Sequence, residues 1–143
     1  MLVYSTAPLI RGLSVMGEVT GTLYVSSSAL DTDVMVKLID VYPDGRAFNL
    51  YDAALRLRYR EGFDRPAPLE PGKVYPVQIS GLVAGNYFAP GHRIRIEIAG
   101  SSFPGFERNL QTGGRNYDEK VPVVAVNRIH PGSFFTFPVI DPK

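Results

Sequence analysis

The chain has 143 residues, of which 45% are hydrophobic and 20% are charged, so its length and composition fit one domain with a buried core. Its formal net charge of +1 gives no basic surface for nucleic acid, and the absence of cysteine excludes disulfides, a thiol nucleophile and cysteine-based metal sites. The 14 glycines and 12 prolines favour frequent turns over long helices.

The first eight residues contain no basic segment followed by an apolar stretch, so they do not read as a signal peptide. No window approaches the roughly 18 consecutive apolar residues that a membrane-spanning helix requires. We therefore expect neither a nucleic-acid partner nor a membrane partner. The cytoplasm is the favoured compartment, although a cysteine-free chain is compatible with others.

In the first third of the chain, two segments show strand patterns. Val19, Leu23 and Val25 alternate with polar residues, which is typical of a strand with one buried and one solvated side. Residues 34–39 are apolar on both faces, which predicts a central strand that is covered on both sides.

A tight turn and a further strand are predicted next. Residues 42–45, Tyr-Pro-Asp-Gly, have the composition of a turn that joins a strand over 34–42 directly to one over 46–51. Residues 55–60 alternate leucine or tyrosine with arginine and are interpreted as a strand, although residues 52–55 could begin a short helix.

Proline and glycine mark the next strands. Pro-Gly turns are predicted at residues 70–73 and 89–92, and the second should join a strand over 74–88 directly to one over 93–99. Because Pro76 cannot donate a hydrogen bond to a neighbouring strand, the strand around 75–79 is expected at a sheet edge or at a bulge. Residues 93–98 alternate arginine or glutamate with isoleucine and give the clearest strand in the sequence.

The last third combines an irregular stretch with two weaker strands. Residues 101–120 are rich in Gly, Asn, Ser and Arg and predict a long loop, which in a compact domain usually carries function. Residues 121–126 and 134–140 are candidate strands. About eight antiparallel strands without an amphipathic helix indicate an all-β sandwich or barrel.

Several segments form recognisable motifs in a fixed order: residues 25–28, 31–33, 37–47, 57–61, 90–95, 101–109 with 112–114, and 125–130. From about residue 2 to residue 140 they resemble the C-terminal domain of the cocaine esterase / X-prolyl dipeptidyl-peptidase hydrolase family, which also includes glutaryl-cephalosporin acylases.

The resemblance implies a jelly-roll β-sandwich of the galactose-binding-like kind, with residues 1–143 as one C-terminal domain. In family members this domain follows an α/β-hydrolase domain and a helical cap, and the Ser-Asp-His triad lies in the hydrolase domain. Those two domains are absent from these residues, and they are the partners that the resemblance implies.

The sequence motifs also predict no catalytic site in this chain. An α/β-hydrolase serine needs Gly-x-Ser-x-Gly, which residues 12–17 miss by one position. His92 and His130 each adjoin a Pro-Gly pair and are interpreted as turn residues that hydrogen-bond locally. We predict no catalytic residue, no cofactor and no metal, since the two histidines lack a near-spaced carboxylate.

Two acidic positions have a structural and a functional interpretation. Asp31 and Asp33 could bind calcium, but the glycine and glutamate of a calcium loop do not follow, so we favour a loop in which either carboxylate accepts backbone N–H bonds. Asp40 and Arg46 flank the predicted turn and are expected to pair across the hairpin.

The candidate functional residues are Phe103, Phe106, Arg108 and Asn109 in the long loop. Aromatic and arginine side chains are the usual anchors of protein interfaces, so we expect them to contact the other domains, the alternative being a loop folded over its own sandwich. An apolar patch uncovered by the missing domains could also support a homo-oligomer.

Two functions follow. The first is a non-catalytic domain of a serine ester or amide hydrolase, which buttresses the catalytic domain and lines its active-site cleft. The alternative is a carbohydrate- or ligand-binding module, for which stacking aromatics would be required and tryptophan is absent.

Overall fold

The computed structural model describes residues 1–115 and 117–140. It contains nine strands and one 3₁₀ turn at Leu57–Tyr59. The strands are β1 (Leu2–Ser5), β2 (Leu13–Ser27), β3 (Asp33–Val41), β4 (Ala47–Arg56), β5 (Tyr75–Phe88), β6 (Arg93–Ala99), β7 (Asn127–Ile129), β8 (Phe134–Thr136) and β9 (Val139–Ile140). The all-β fold predicted from the sequence is confirmed.

The strands form two antiparallel sheets. Sheet A has the order β1-β6-β3-β4. Sheet B is built on the long strand β2, which pairs with β5 along one edge and with β9, β8 and β7 in succession along the other. The core lies between the sheets and includes the fully buried side chains of Leu23, Leu38, Leu82 and Phe88.

Strand β3 is the central strand that its apolar pattern predicts. It lies between β6 and β4, and Lys37 is its only residue that is not buried. The predicted edge position of the strand containing Pro76 is also confirmed, because β5 pairs only with β2.

The strand predicted over residues 55–60 ends after its first two residues. Strand β4 ends at Arg56, and Leu57–Tyr59 forms a 3₁₀ turn. Two bonds to the segment before β3 cause the change: Leu57 N donates to the Thr32 carbonyl (2.9 Å) and Arg58 N donates to the Asp31 carboxylate (2.9 Å). The strand prediction is therefore wrong for residues 57–60, where tertiary contacts override the alternation.

The strand predicted at 121–126 is wrong as well. Val121 and Val124 are exposed, and β7 begins only at Asn127. The backbone of this segment bonds to loops instead: Val123 N donates to the Leu110 carbonyl (2.9 Å) and Val126 N to Ser28 Oγ (2.9 Å).

Both predicted strand-joining turns are present, but they differ in what they join. Tyr42 N donates to the Arg46 carbonyl (2.8 Å) and closes the β3–β4 hairpin within sheet A. The turn at 89–92, with Gly91 at φ +85°, carries the chain from β5 in sheet B to β6 in sheet A. Strand β1 has no pattern in the sequence that predicts it.

Candidate functional site

A buried charge network fixes the long loop to the sandwich. Asp31 is fully buried, and its carboxylate accepts hydrogen bonds from Arg58 Nε (2.6 Å), from Arg58 N (2.9 Å) and from Asn109 Nδ2 (2.9 Å). The prediction that Asp31 accepts a backbone N–H is confirmed, although the donor lies 27 residues away.

Asp33 holds the second half of the same network. Its carboxylate accepts two hydrogen bonds from Arg56, at 2.9 Å from Nε and 3.1 Å from Nη2, and one from Asn109 Nδ2 at 2.7 Å. The hydrogen bond to Asp33 raises the pKa of the Arg56 guanidinium above its usual value, against the lowering effect of burial. The two carboxylates thus each face an arginine and share one amide.

The network reaches into the loop through backbone carbonyls. Arg58 Nη1 donates to the carbonyls of Gly113 and Gly114, and Asn109 Oδ1 accepts the N–H of Gln111 at 2.8 Å. Gln111 has φ +65°, a left-handed conformation that this hydrogen bond helps to hold. We call residues 101–115 the docking loop.

The four candidate interface residues divide between surface and interior. Phe103 is 72% exposed and Phe106 is 39% exposed, and Arg108 also lies on the surface. Asn109 is 4% exposed, and its side chain faces Asp31 and Asp33. The structure therefore places Asn109 beneath the loop, as the anchor of a surface that carries the two phenylalanines.

Asp40 does not pair with Arg46. Its carboxylate accepts hydrogen bonds from the His92 ring (2.8 Å to Nδ1) and from Asn86 Nδ2 (3.3 Å), while Arg46 bonds to Asp44 at 2.7 Å. The reason is that Asp40 faces the interior of the sandwich and Arg46 is exposed at the turn. The cross-hairpin pairing is therefore wrong.

Both histidine side chains form hydrogen bonds across the fold. The His92 side chain bonds to Asp40, 52 residues away, so the expected local bond is wrong for its side chain, although its N–H does close the turn onto Ala89 (3.1 Å). His130 Nε2 lies 2.8 Å from the hydroxyl of the buried Ser26, so its ring also bonds to a residue distant in the sequence. Within residues 1–115 and 117–140, no group of three His, Asp or Glu side chains is placed to hold a metal ion.

An apolar groove of about 600 Å³, which no sequence pattern indicates, lies between the two sheets. Ile94, Ile96 and Ile98 of β6 form one wall, with residues 4–6 beside them. Sheet B supplies the other wall: Leu23, Ile129, residues 130–133, and the phenylalanines at 134, 135 and 137. We call this cavity the groove.

Comparisons with known proteins identify the architecture. The family described as X-Pro dipeptidyl-peptidase C-terminal non-catalytic domain matches residues 1–135. Cocaine esterase of Rhodococcus sp. (strain MB1 Bresler) is 45% identical over 98% of the chain, and a putative serine esterase of Mycobacterium bovis is 35% identical over 71% of it. The matched regions are only 25% and 19% of the lengths of these relatives.

Solved structures agree. An aminopeptidase from a marine sediment archaeon, Thaumarchaeota archaeon, superposes with a TM-score of 0.91 at 33% identity, covering 98% of this chain and 26% of that one. An α-amino acid ester hydrolase gives a TM-score of 0.87 at 32% identity, covering 97% of this chain and 25% of that one. No helix in the described part of the chain is long and apolar enough to cross a membrane. The chain belongs to the family of X-Pro dipeptidyl-peptidase C-terminal non-catalytic domains, and it corresponds to one domain of larger hydrolases.

Proposed function

We propose that this domain packs against the catalytic part of a serine ester hydrolase and supports one side of its active-site cleft, without contributing a catalytic group. The observation that carries the proposal is the 45% identity to cocaine esterase over 98% of the chain, within a family described as non-catalytic. The structure supports it because Ser26, the serine bonded to His130, is buried.

The reaction class follows from the relatives. Cocaine esterase, the putative serine esterase and the α-amino acid ester hydrolase all carry ester hydrolysis in their names, at identities of 45%, 35% and 32%. We therefore favour an ester over an Xaa-Pro peptide or an acyl amide as the substrate of the parent enzyme.

The docking loop is the surface we assign to the interdomain contact. Phe103 and Phe106 present apolar area to solvent, while Asn109 and Arg58 bond the same loop to the sandwich at residues 109 and 114. A contact surface that is already ordered loses less conformational entropy on binding, so two fixed aromatic side chains are effective anchors. Arg108 lies between the aromatic pair and the buried Asn109 and belongs to the same surface.

The test replaces the matching C-terminal region of cocaine esterase by this chain and measures ester hydrolysis and its half-life at elevated temperature. We expect an active chimera whose half-life falls when Phe103 and Phe106 are both changed to alanine. Phe63→Ala is the matched control, because Phe63 is 85% exposed outside the loop. Equal half-lives for the double variant and the control would remove the docking loop from the proposal.

A second measurement does not depend on the chimera folding. The isolated chain is titrated by calorimetry into cocaine esterase that lacks its matching region, and we expect binding that the double variant weakens. We expect no hydrolysis of p-nitrophenyl acetate by the isolated chain, and serine-reagent-sensitive turnover would overturn the non-catalytic role. The carbohydrate- or ligand-binding alternative stays a prediction, which specific binding on a glycan array would favour.

A further inference from the structure

The groove lies where the sandwich is open. On one side of the molecule β4 and β5, the end strands of the two sheets, contact each other. On the other side the sheets end in β1 and in β7 and β8, and the groove of about 600 Å³ lies between them. Its walls include Leu23, Ile96 and Ile98, which belong to the hydrophobic core, so the groove borders the core directly.

Strand β1 forms an unpaired edge beside the groove. It pairs only with β6, and all four of its residues are exposed. Thr6 N donates to the Ile94 carbonyl (3.0 Å), and antiparallel pairing alternates, so the N–H groups of Val3 and Ser5 point away from β6. Such an edge can accept a further strand.

The side chains at the mouth of the groove are apolar. Tyr4 pairs with Ile96 and therefore lies on the core-facing side of sheet A, yet it is 51% exposed. Phe134 on the opposite wall is 55% exposed. Exposed apolar area beside an open backbone edge marks a surface that another segment covers.

The additional polypeptide of the relatives indicates which segment fills the groove. The matched region is 25% of cocaine esterase, and the family is described as C-terminal, so in a full-length member most of the chain precedes this domain. Strand β1, which lies at the groove, comes first in the matched region, so in those relatives the preceding polypeptide approaches the matched region from this side. A segment that enters there reaches the open edge without crossing the molecule.

We propose that an extended apolar segment of the polypeptide preceding this domain pairs with the free edge of β1 and fills the groove, which completes the sandwich. Its sequence should alternate, because one face would meet Ile96 and Phe135, and the other would continue the outer face that carries Arg95 and Glu97. This inference concerns a surface separate from the docking loop and holds whichever surface meets the catalytic part.

The first experiment examines the chain alone. We expect the dye 1-anilinonaphthalene-8-sulfonate to bind and fluoresce, and the amides of Val3 and Ser5 to exchange hydrogen rapidly. Phe134→Ser should weaken the dye fluorescence, whereas Phe103→Ser, which changes an exposed phenylalanine of the docking loop, should not. A chain that binds no dye and protects both amides has closed its own groove, which would overturn the proposal.

The second experiment supplies the segment. The residues that precede the matching region of cocaine esterase are fused before Met1, and in parallel are added as a separate peptide. We expect the dye fluorescence to fall and exchange of the two amides to slow about tenfold or more. Unchanged fluorescence and exchange in both formats would overturn the proposal. So would protection that rises only with protein concentration, since that result assigns the groove to a second copy.

Discussion

At the scale of single residues, Asn109 is the side chain with the largest structural role in the docking loop. Its amide nitrogen donates to two buried carboxylates, and its amide oxygen accepts the N–H of Gln111. Hydrogen bonds to charged groups contribute more than neutral ones, and an unsatisfied buried acceptor is costly. One side chain thus ties the loop to the beginning of β3.

We expect Asn109→Ala to lower the free energy of unfolding by about 3 kcal/mol, because both carboxylates lose a donor. Urea unfolding followed by circular dichroism measures the change. Gln78→Ala is the control, since Gln78 is exposed and its amide oxygen accepts a hydrogen bond from the Thr22 hydroxyl at the surface, and its cost should stay below about 0.5 kcal/mol. Similar losses for both variants would show that Asn109 is not the anchor.

Arg58 and Asp31 allow a second prediction at this scale. Asp31 is fully buried and Arg58 is 8% exposed, so Arg58→Met leaves a buried carboxylate without its cation. We expect a loss of about 4 kcal/mol. Arg46→Met removes an exposed ion pair with Asp44, which solvent screens, and should cost much less in the same urea experiment. Equal costs would contradict the burial argument.

The turn at 70–73 gives a pH prediction. The hydrogen bond from Lys73 (2.5 Å) lowers the pKa of Glu70 below its ordinary value of 4.5. A carboxyl whose pKa is lowered by folding stabilises the folded state above its unfolded pKa, and this contribution disappears as the pH falls through the folded value. Glu70→Gln should therefore lower the urea midpoint slightly at pH 7 and not at pH 2. A difference of equal size at both values would contradict the assignment.

Residue pairings were the least predictable feature of the sequence. The positions of Asp40 and Arg46 on either side of the turn indicate a pair. Whether the Asp40 carboxylate faces the core or the outer side of sheet A depends on the register of β3 with β4 and β6. Asp40 faces inward, toward His92, which follows a turn between the two sheets. The sequence indicates Asn109 as a candidate interface residue of its loop. Its side chain instead faces inward, because it bonds to aspartates 76 and 78 residues away.

At the scale of elements, strands with a strong local pattern were predicted and strands defined by partners were not. Strand β6 alternates isoleucine with charge, and β3 is apolar on both faces, so each sequence contains its own signal. Strand β1 is exposed along its whole length and exists because it pairs with β6. The segment 121–126 has strand composition without a partner strand, and it remains irregular.

The contact between β2 and β8 gives an element-scale prediction. A Cβ added at Gly21 would lie 2.6 Å from the Phe135 ring and 2.9 Å from the Phe134 carbonyl, so β8 would have to move away from β2. We expect Gly21→Ala to lower the free energy of unfolding by about 2 kcal/mol.

Gly85→Ala is the matched control for this variant, because Gly85 lies within β5 and its added Cβ meets nothing within 4 Å. It should be neutral or stabilising by about 0.5 kcal/mol, through reduced freedom of the unfolded chain. Thermal unfolding of the two variants measures the difference. A control as unstable as Gly21→Ala would show that the close approach of β8 does not decide the cost.

At the scale of the whole molecule, fold class and family were predicted from the sequence, and the open side of the sandwich was not. Turn spacing and alternation predict two sheets, but neither reveals that the sheets meet at β4 and β5 and separate at β1 and β8. That asymmetry arises from the order in which strands are placed in the sheets. It is also where the proposed additional segment would pair with β1.

The pairing of β2 determines how this domain can form during protein synthesis. Residues 13–27 emerge from the ribosome before residues 127–140, which complete their second edge. Pairings between distant residues form slowly, because the intervening chain must first be brought together. One edge of β2 therefore stays unpaired until residues 127–140 have been synthesised, and that edge is open to wrong partners in the interval.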